Sequence, residues 1–552
     1  MIAAALLALL LPSQPDPIPQ RTADQLLALV PPSTPLVIVL DQLQTYRDAQ
    51  TNSALTSLPP IRRWLQSDDH ARLVQSLSQL EAVLGLTLSD FQHDILGDCV
   101  VLALDISDPG GEPRGLLLLK PPKPERLRRA LDSLNAVERA SGSLLRLEEQ
   151  GGQAGPWITR RFRGDRPADF YAYLPDHAFA WSNSPSLLQD VLARSQLPSP
   201  PIAPWMDWLR RRLPTPALLS AYLNISRLTA LSDRLGSDFQ RLLPLLSRFQ
   251  SAGCAFTFGS RVELHAVERL TRPQDWTAPD TQAGPRLAAR LPDRPIALAA
   301  GSLDLPQLSN QLLHLVTERD PDARPLLETA LAGLLGTDNL DRDVLSHLGP
   351  GALLAWLPDA SSPEPRPSPV PVLLLLVEFA DSPLLRSRIE TATRTVMALA
   401  ALDPQQRAAG SRLQILEHDG HTLLVYRQTG LTLAVHVGPG LFAASTDPAR
   451  LLALLKSDPG AVPGRPAWLV PDRADQFLQI QGDALHRWID AHRRSLADRL
   501  SRDRQISSDQ AARQLDDLLD SLAGLDTLTL TNQLDPADGS LRQWLRLEPT
   551  AP

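Results

Sequence analysis

The sequence predicts an α+β protein built as two tandem copies of one unit. Each copy is expected to be an antiparallel-rich sheet with helices packed on one face, followed by a smaller strand-helix-helix-strand lobe. Three observations carry this. One phrase is written twice, as "AFAWSNSPSLLQDVL" from Ala178 to Leu192 and as "LFAASTDPARLLALL" from Leu441 to Leu455. Other segments recur in the same order at an offset of about 260 residues, as a duplicated unit with small loop insertions would give. Hairpin and strand-to-helix signals both occur, without the regular alternation that announces a parallel sheet.

In the repeated phrase an apolar, β-prone half leads into a leucine-striped half. Ser184-Pro185 and Asp447-Pro448 stand between them. Ser or Asp caps a helix by accepting from an orphan N–H of the first turn, and proline fits the next position because it lacks a donor there. Earlier in each copy, "TPLVIVLDQL" from Thr34 answers "RPIALAAGSL" from Arg294, both strands. "LEAVLGLTLSDFQHDILGD" from Leu80 answers "LAGLLGTDNLDRDVLSHLGP" from Leu331, each a helix stopped by a left-handed glycine, Gly85 or Gly336. "LLRLEEQGGQAGPWITRRF" and "LQILEHDGHTLLVYRQ" read as hairpins turning at Gly151-Gly152 and Asp419-Gly420. In this alignment Glu148 matches Glu417, and Arg160 matches Arg427.

The later lobe is expected to put Leu485, Trp488, Ile489, His492, Leu496 and Leu500 on one helical face, and Ala511, Leu515, Leu518, Leu519 and Leu522 on the next helix. The expected boundaries are residues 1–20 for a leader with a proline-rich spacer, 21–196 and 205–270 for the first core and lobe, 271–290 for a linker, and 291–456 and 466–552 for the second pair. Breaks at Gly236-Ser237-Asp238 and at residues 458–466, and an extended loop with alternating prolines from Pro363 to Pro369, complete the layout.

With 552 residues the chain is too long for one core, and an apolar fraction of 43% fits a folded protein. A net charge of −8 argues against a nucleic-acid partner, which wants a basic face. The apolar run from Ile2 to Leu11 is half a bilayer span and resembles the core of a secretory signal, without basic residues before it or an Ala-x-Ala site after it. It points to export to the periplasm or envelope, with surface contact to a membrane through this segment. A cytoplasmic location is the alternative. Cys99 and Cys254 sit in apolar strand-like runs and read as buried thiols.

No nucleophile elbow, phosphate-cradling glycine loop, His-Glu-x-x-His or paired Cys-x-x-Cys is present. The sequence therefore nominates no catalytic residue, no cofactor-binding residue, no metal ligand and no cofactor. His418-Asp419-Gly420-His421 is metal-like in composition, but it falls on a hairpin turn. Arg163-Gly164-Asp165 reads as a surface turn. Arg160, Arg161, Arg163 and Arg166 around Phe162 read as a charged, exposed strand edge. Arg210 to Arg212 beside Trp205 and Trp208 read as a helix end with its tryptophans turned inward. Acids interleave with Arg493, Arg494, Arg499 and Arg502, as on a solvated helix.

Together, "LPPIRRWL", "LGLTLSDFQHDILGD", "LLLLKPPKPERLRRAL" and "AFAWSNSPSLLQDVL" resemble an uncharacterised family of bacterial exported proteins, a domain of unknown function. The resemblance covers most of residues 30–195 and, more loosely, 290–456. It implies the fold and an exported location, and transfers no functional residue. The function expected from all this is a non-catalytic cell-envelope protein that binds a protein partner or apolar ligand through a sheet face or the groove between repeats. The alternative is a hydrolase with a single site in one repeat. A third reading is a cytoplasmic inhibitor-like or scaffold protein.

Overall fold

The computed structural model describes residues 21–43, 66–69, 71–72, 74–75, 78, 81, 85–106, 113–152, 154–230, 246–258, 261–275, 280–291, 293–302, 323–358, 371–402, 410–428, 431–456, 468–469 and 474–550. The expected leader, the proline-rich loop, the 458–466 seam and the break at 236–238 lie outside them. The chain divides into two compact units, the first holding the described residues up to 258 with 265–271, the second holding 261–264 and those from 272 onward. Both mix helices with antiparallel strands.

In the first unit the strands are β1 (Leu36–Leu40), β2 (Val100–Asp105), β3 (Arg114–Leu119), β4 (Leu144–Gly152), β5 (Gly155–Phe162), β6 (Asp169–Tyr173), β7 (Phe179–Ser182), β8 (Leu219–Leu223) and β9 (Phe249–Phe258), with β10 (Val262–Leu270) belonging to it from His265 onward. Across the sheet the order is β9-β8-β1-β2-β3-β7-β6-β5-β4, antiparallel at each pair, with β10 beside β9. Helices α1 (Thr22–Leu29), α2 (Pro124–Ala140), α3 (Pro185–Ser195) and α4 (Pro204–Arg210) pack on it.

In the second unit the strands are β11 (Ala297–Ser302), β12 (Leu348–Leu357), β13 (Val372–Phe379), β14 (Arg412–His418), β15 (His421–Gln428), β16 (Leu431–Gly438), β17 (Leu441–Ser445), β18 (Gln476–Gln481), β19 (Leu525–Asp535) and β20 (Ser540–Pro549). Their order is β20-β19-β18-β11-β12-β13-β17-β16-β15-β14, again antiparallel. Its helices include α5 (Ala283–Ala288), α6 (Ala323–Leu335), α7 (Pro383–Leu402), α8 (Pro448–Lys456), α9 (Gly482–Ala491), α10 (Arg493–Arg504) and α11 (Ser508–Leu522).

The repeated phrase forms a joint whose polar residues each have a task. Ser182 Oγ donates to the Gly115 carbonyl of β3 (2.7 Å) and accepts from the Ser184 N–H (3.0 Å). Asn183 accepts from the Gly115 N–H (2.7 Å) and donates to the Pro113 carbonyl (2.9 Å), continuing the ladder where β7 ends. Ser184 then caps α3 through the Leu187 N–H. In the second phrase, Ser445 donates to the Leu373 carbonyl (2.9 Å) and accepts from the Asp447 N–H (3.0 Å). Thr446 accepts from the Leu373 N–H and donates to the Pro371 carbonyl, both at 2.9 Å, and Asp447 caps α8. Each phrase is thus a strand end, a side-chain extension of the ladder and a helix cap in three residues. Ser182→Ala leaves the buried Ser184 N–H without an acceptor and is expected to cost about 1–3 kcal/mol, read as a lower urea midpoint by tryptophan fluorescence.

Four sequence expectations need correction. Helices cover both faces of each sheet, not one. In the first unit Val37, Val101, Leu116 and Leu118 pack under α1, α3 and α4, while Val100, Leu119, Tyr171 and Phe179 pack under α2. The cause lies in strands such as Leu116–Leu119, apolar at both parities, which expose a greasy second face unless a helix covers it. In the second unit α5 and α8 lie on one face, and Met397 of α7 packs with Leu424 and Tyr426 on the other. Second, the strands expected in separate lobes extend the core sheets. All five residues of β8 pair with β1, and β18 pairs with β11 over five positions. An apolar edge strand is stabilised by pairing rather than left open.

Third, residues 283–288 of the expected linker form α5, with Ala283, Leu287 and Ala288 fully buried. Fourth, Gly151 and Gly152 are strand residues, and the positive φ (131°) falls on Gly155. At the other hairpin Asp419 (50°) and Gly420 (78°) take the left-handed pair as expected. Gly85 and Gly336 also have the left-handed φ their helices need. In the last hairpin Leu528 faces Leu547 and Leu530 faces Leu545. The helical face from Leu485 to Leu500 is split, because His492 (φ −108°, ψ 10°) interrupts it between α9 and α10. On α11, Leu518 is 44% exposed and leaves the stripe.

Candidate functional site

The helices that cover the second face of each sheet stop short of its centre. In the first unit this leaves a groove of about 570 Å³ over β1, β2, β3 and β7. Its floor is one transverse row: Trp181 faces Leu117, Leu117 faces Leu102, and Leu102 faces Ile38. Leu102 stays 41% exposed, in mid-sheet where a core would bury it. Gly115 deepens the trough, since its missing Cβ would meet only the Asn183 amide oxygen at 3.9 Å.

The second unit carries a groove of about 300 Å³. There the row is Leu375, Leu354, Ala299, Leu478 and Leu530, each opposite the next across β13, β12, β11, β18 and β19. Leu354 is 48% exposed, and Leu375 and Leu530 are 37% exposed. Small residues, Ala299 and Gly301 among them, lower the middle, and Gln476 and Asn532 bring amides to the lining.

At one end of the first groove stands Asp169, tied into a buried charge cluster. Arg160, 1% exposed, donates to Asn135 Oδ1 at 2.9 Å, to Asp169 Oδ2 at 3.2 Å and to Glu138 Oε2. Arg166 shares Glu138 at 3.0 Å, and the Arg160 guanidinium lies 5.1 Å from the Trp181 ring centre. Burial pushes the Asp169 carboxyl up, and the Arg160 and Arg166 charges pull it back. The reading of Arg160 as an exposed edge charge is therefore wrong. Its strand is covered on both faces, and α2 brings Asn135 and Glu138, one turn apart, onto it. That i, i+3 polar pair on a leucine-striped helix was the signal in the sequence.

No family model matches this chain, and no curated protein does. Among solved structures, one titled "Structure of crystal form III of TP0453" is 9% identical, covers 44% of this chain and 79% of that one, and superposes with a TM-score of 0.23. At that score the likeness carries no argument.

The other residues singled out in the sequence have local roles. His418 and Lys456 both contact Asp419 at the hairpin turn, at 3.2 and 3.0 Å. His436, its pKa lowered mainly by burial, stands near-perpendicular to His421 with ring centres 5.2 Å apart. Among the described residues no cluster of three His, Cys, Asp or Glu could hold a metal ion. Arg163-Gly164-Asp165 is an exposed turn with Gly164 left-handed. Trp205 and Trp208 pack on the first core, with Arg212 over the Trp208 ring at 3.9 Å. Arg493 pairs with Asp516, and Arg499 with Asp503 at 3.5 Å. Cys99 is buried and Cys254 half-buried, both as free thiols. No described helix is long and apolar enough to cross a membrane.

Proposed function

We propose that this is a non-catalytic binding protein of the cell envelope, made of two tandem copies of one unit, that takes an apolar ligand or the apolar segment of a protein partner on its uncovered sheet faces. The observation that carries the proposal is the transverse row of leucines left open in mid-sheet. Contiguous apolar surface of this kind is rare on a soluble protein unless something binds there.

Duplication is supported by the two strand orders, which match element for element, and by the two joints with their matching hydrogen bonds. Pairing register also refines the alignment. The Pro35 carbonyl accepts from Asn224, and the Ile296 carbonyl from Gln481, so Val37 corresponds to Leu298, one residue later than the sequences suggest. Arg160 stands opposite Asp169 as Tyr426 stands opposite Leu433. Arg160 thus corresponds to Tyr426, and Glu148, opposite Thr159, to Gln414, opposite Val425. On this alignment neither Arg160 with Arg427 nor Glu148 with Glu417 stays in register. The envelope location rests on the apolar run from Ile2 to Leu11.

A hydrolase finds little support. Ser89 Oγ lies 3.3 Å from His93 Nδ1, but that nitrogen is 2.8 Å from the Ser89 carbonyl, a contact within one exposed helical turn. The binding test uses a fluorescent apolar probe. Saturable binding is expected, and Leu102→Asp with Leu354→Asp should weaken it at least tenfold while the circular dichroism spectrum stays native. Probe affinity unchanged in the double variant would sink the proposal.

A further inference from the structure

We infer that a second cavity of the first unit, away from the grooves, is a binding site for a small organic ammonium ion held by the Asp41 carboxylate. The cavity, of about 270 Å³, opens between α1, β1, β8 and the segment after α4. Arg21, Asp24, Asp41, Arg210, Ser220 and Tyr222 give it a polar lining, two cations beside two carboxylates. That volume suits a molecule of amino-acid size rather than a larger cofactor.

Its polar groups are unequally committed. Arg210 donates through its two terminal nitrogens to Asp24 at 2.8 Å and to Asp207 at 3.2 Å, while its Nε is buried without a partner, so this guanidinium and the Asp24 carboxylate are paired with one another. Tyr222 shares its strand face with Ser220, two residues before it. Asp41 differs. It accepts from the Gln42 N–H at 3.0 Å, and Arg21 acts on it only through space. Burial first, and then neighbouring Asp98 and Asp24, push its carboxyl up, against the pull of the Gln42 N–H and Arg21. A partly buried carboxylate without an ion-pair partner is costly, and a cation with N–H donors offsets that cost by charge-assisted hydrogen bonds. A primary ammonium supplies those donors in a volume this small.

The second unit shows that the fold does not require a cavity here. Leu223 faces Leu36 and Ile480 faces Ala297, so Phe477 occupies the place of Ser220. Phe477 is 4% exposed and fills the space. Gly284 of α5 stands where α1 carries Ala23, since Arg286 N–H to Gln282 repeats Gln25 N–H to Arg21, and a Cβ on Gly284 would come within 2.9 Å of the Phe477 ring. An aromatic with its matching glycine in one unit is thus a serine with an alanine in the other. This comparison rests on the proposed correspondence of the units, whereas ammonium binding at Asp41 does not.

The full-length protein is titrated with n-propylammonium by ligand-observed NMR, with propionate as the anionic control. Saturable binding of propylammonium, and none of propionate, is expected. Asp41→Asn keeps the shape without the charge and should weaken binding at least tenfold. Ala23→Gly with Ser220→Phe copies the second unit and should abolish binding in a folded protein. No propylammonium binding, binding that survives Asp41→Asn, or equal binding of propionate overturns the inference. Leu102→Asp should leave propylammonium binding intact, and Asp41→Asn should leave apolar-probe binding intact, so the two proposals fail separately.

Discussion

Arg160→Ala is expected to destabilise the first unit by about 3–5 kcal/mol, because truncating one member of a buried ion cluster strands its partners. The guanidinium serves Asn135, Glu138 and Asp169 at once, linking α2 to β5 and β6. Glu138 keeps Arg166, so the loss falls mainly on Asp169 and Asn135. Burial already pushes the Asp169 carboxyl up, and removing Arg160 withdraws the largest opposing pull. The sign follows. A carboxyl whose folded pKa exceeds its unfolded value contributes stability below the unfolded pKa and loses it as pH rises through the folded one. The deficit of Arg160→Ala relative to wild type should therefore be largest at neutral pH and shrink in acid. Arg160→Tyr combined with Asp169→Leu, the pair found at Tyr426 and Leu433, should recover much of the loss, since a buried ion pair can be exchanged for packed apolar groups. Urea unfolding of the three proteins across the acid range tests both points. An alanine variant within about 1 kcal/mol of wild type at pH 7 would mean that the cluster is solvated and loosely held.

What the sequence disclosed was local. Ser184 and Asp447 announce helix starts, and Asp419-Gly420 announces a hairpin, because each satisfies a backbone need within a few residues. The repeated phrase disclosed more, since a joint that must end a strand, extend a ladder and cap a helix tolerates few alternatives. Long-range facts were out of reach. Whether Arg160 faces water or α2 depends on a helix some twenty residues upstream packing on its strand, as the Arg160–Asn135 separation of 25 positions shows. On the proposed correspondence of the units, Arg160 answers Tyr426 instead of Arg427 for a related reason. Both hairpins end in arginines, and only the cross-strand register, Leu147 with Arg160 and Leu413 with Tyr426, separates adjacent residues. The open leucine rows were hidden because an exposed strand leucine and a buried one read alike. The Asp41 cavity was hidden because it depends on Ser220 not being a phenylalanine.

Glu268→Gln is expected to stabilise the protein above neutral pH. Glu268 lies on β10, and its Oε2 is buried without a hydrogen-bond partner. Burial raises its carboxyl from an ordinary 4.5 to about 7. The protonated acid thus fits this site and the carboxylate does not. The stability contributed by the protonated form is complete below pH 4.5 and is lost as pH climbs to about 7, after which the cost stays constant. A shift of this size corresponds to about 3–4 kcal/mol, at about 1.4 kcal/mol for each pH unit. Glutamine keeps the shape and cannot ionise. Urea unfolding at stepped pH should therefore give a wild-type minus variant difference that grows between pH 4.5 and 7 and then levels off. Groups that titrate identically in both proteins cancel in that difference, so a flat line would show that Glu268 reaches water. The half-buried Cys254 thiol, which the Glu268 charge helps push up, gives an independent readout. With that charge removed, its alkylation by iodoacetamide above pH 7 should quicken, since the thiolate is the reacting form.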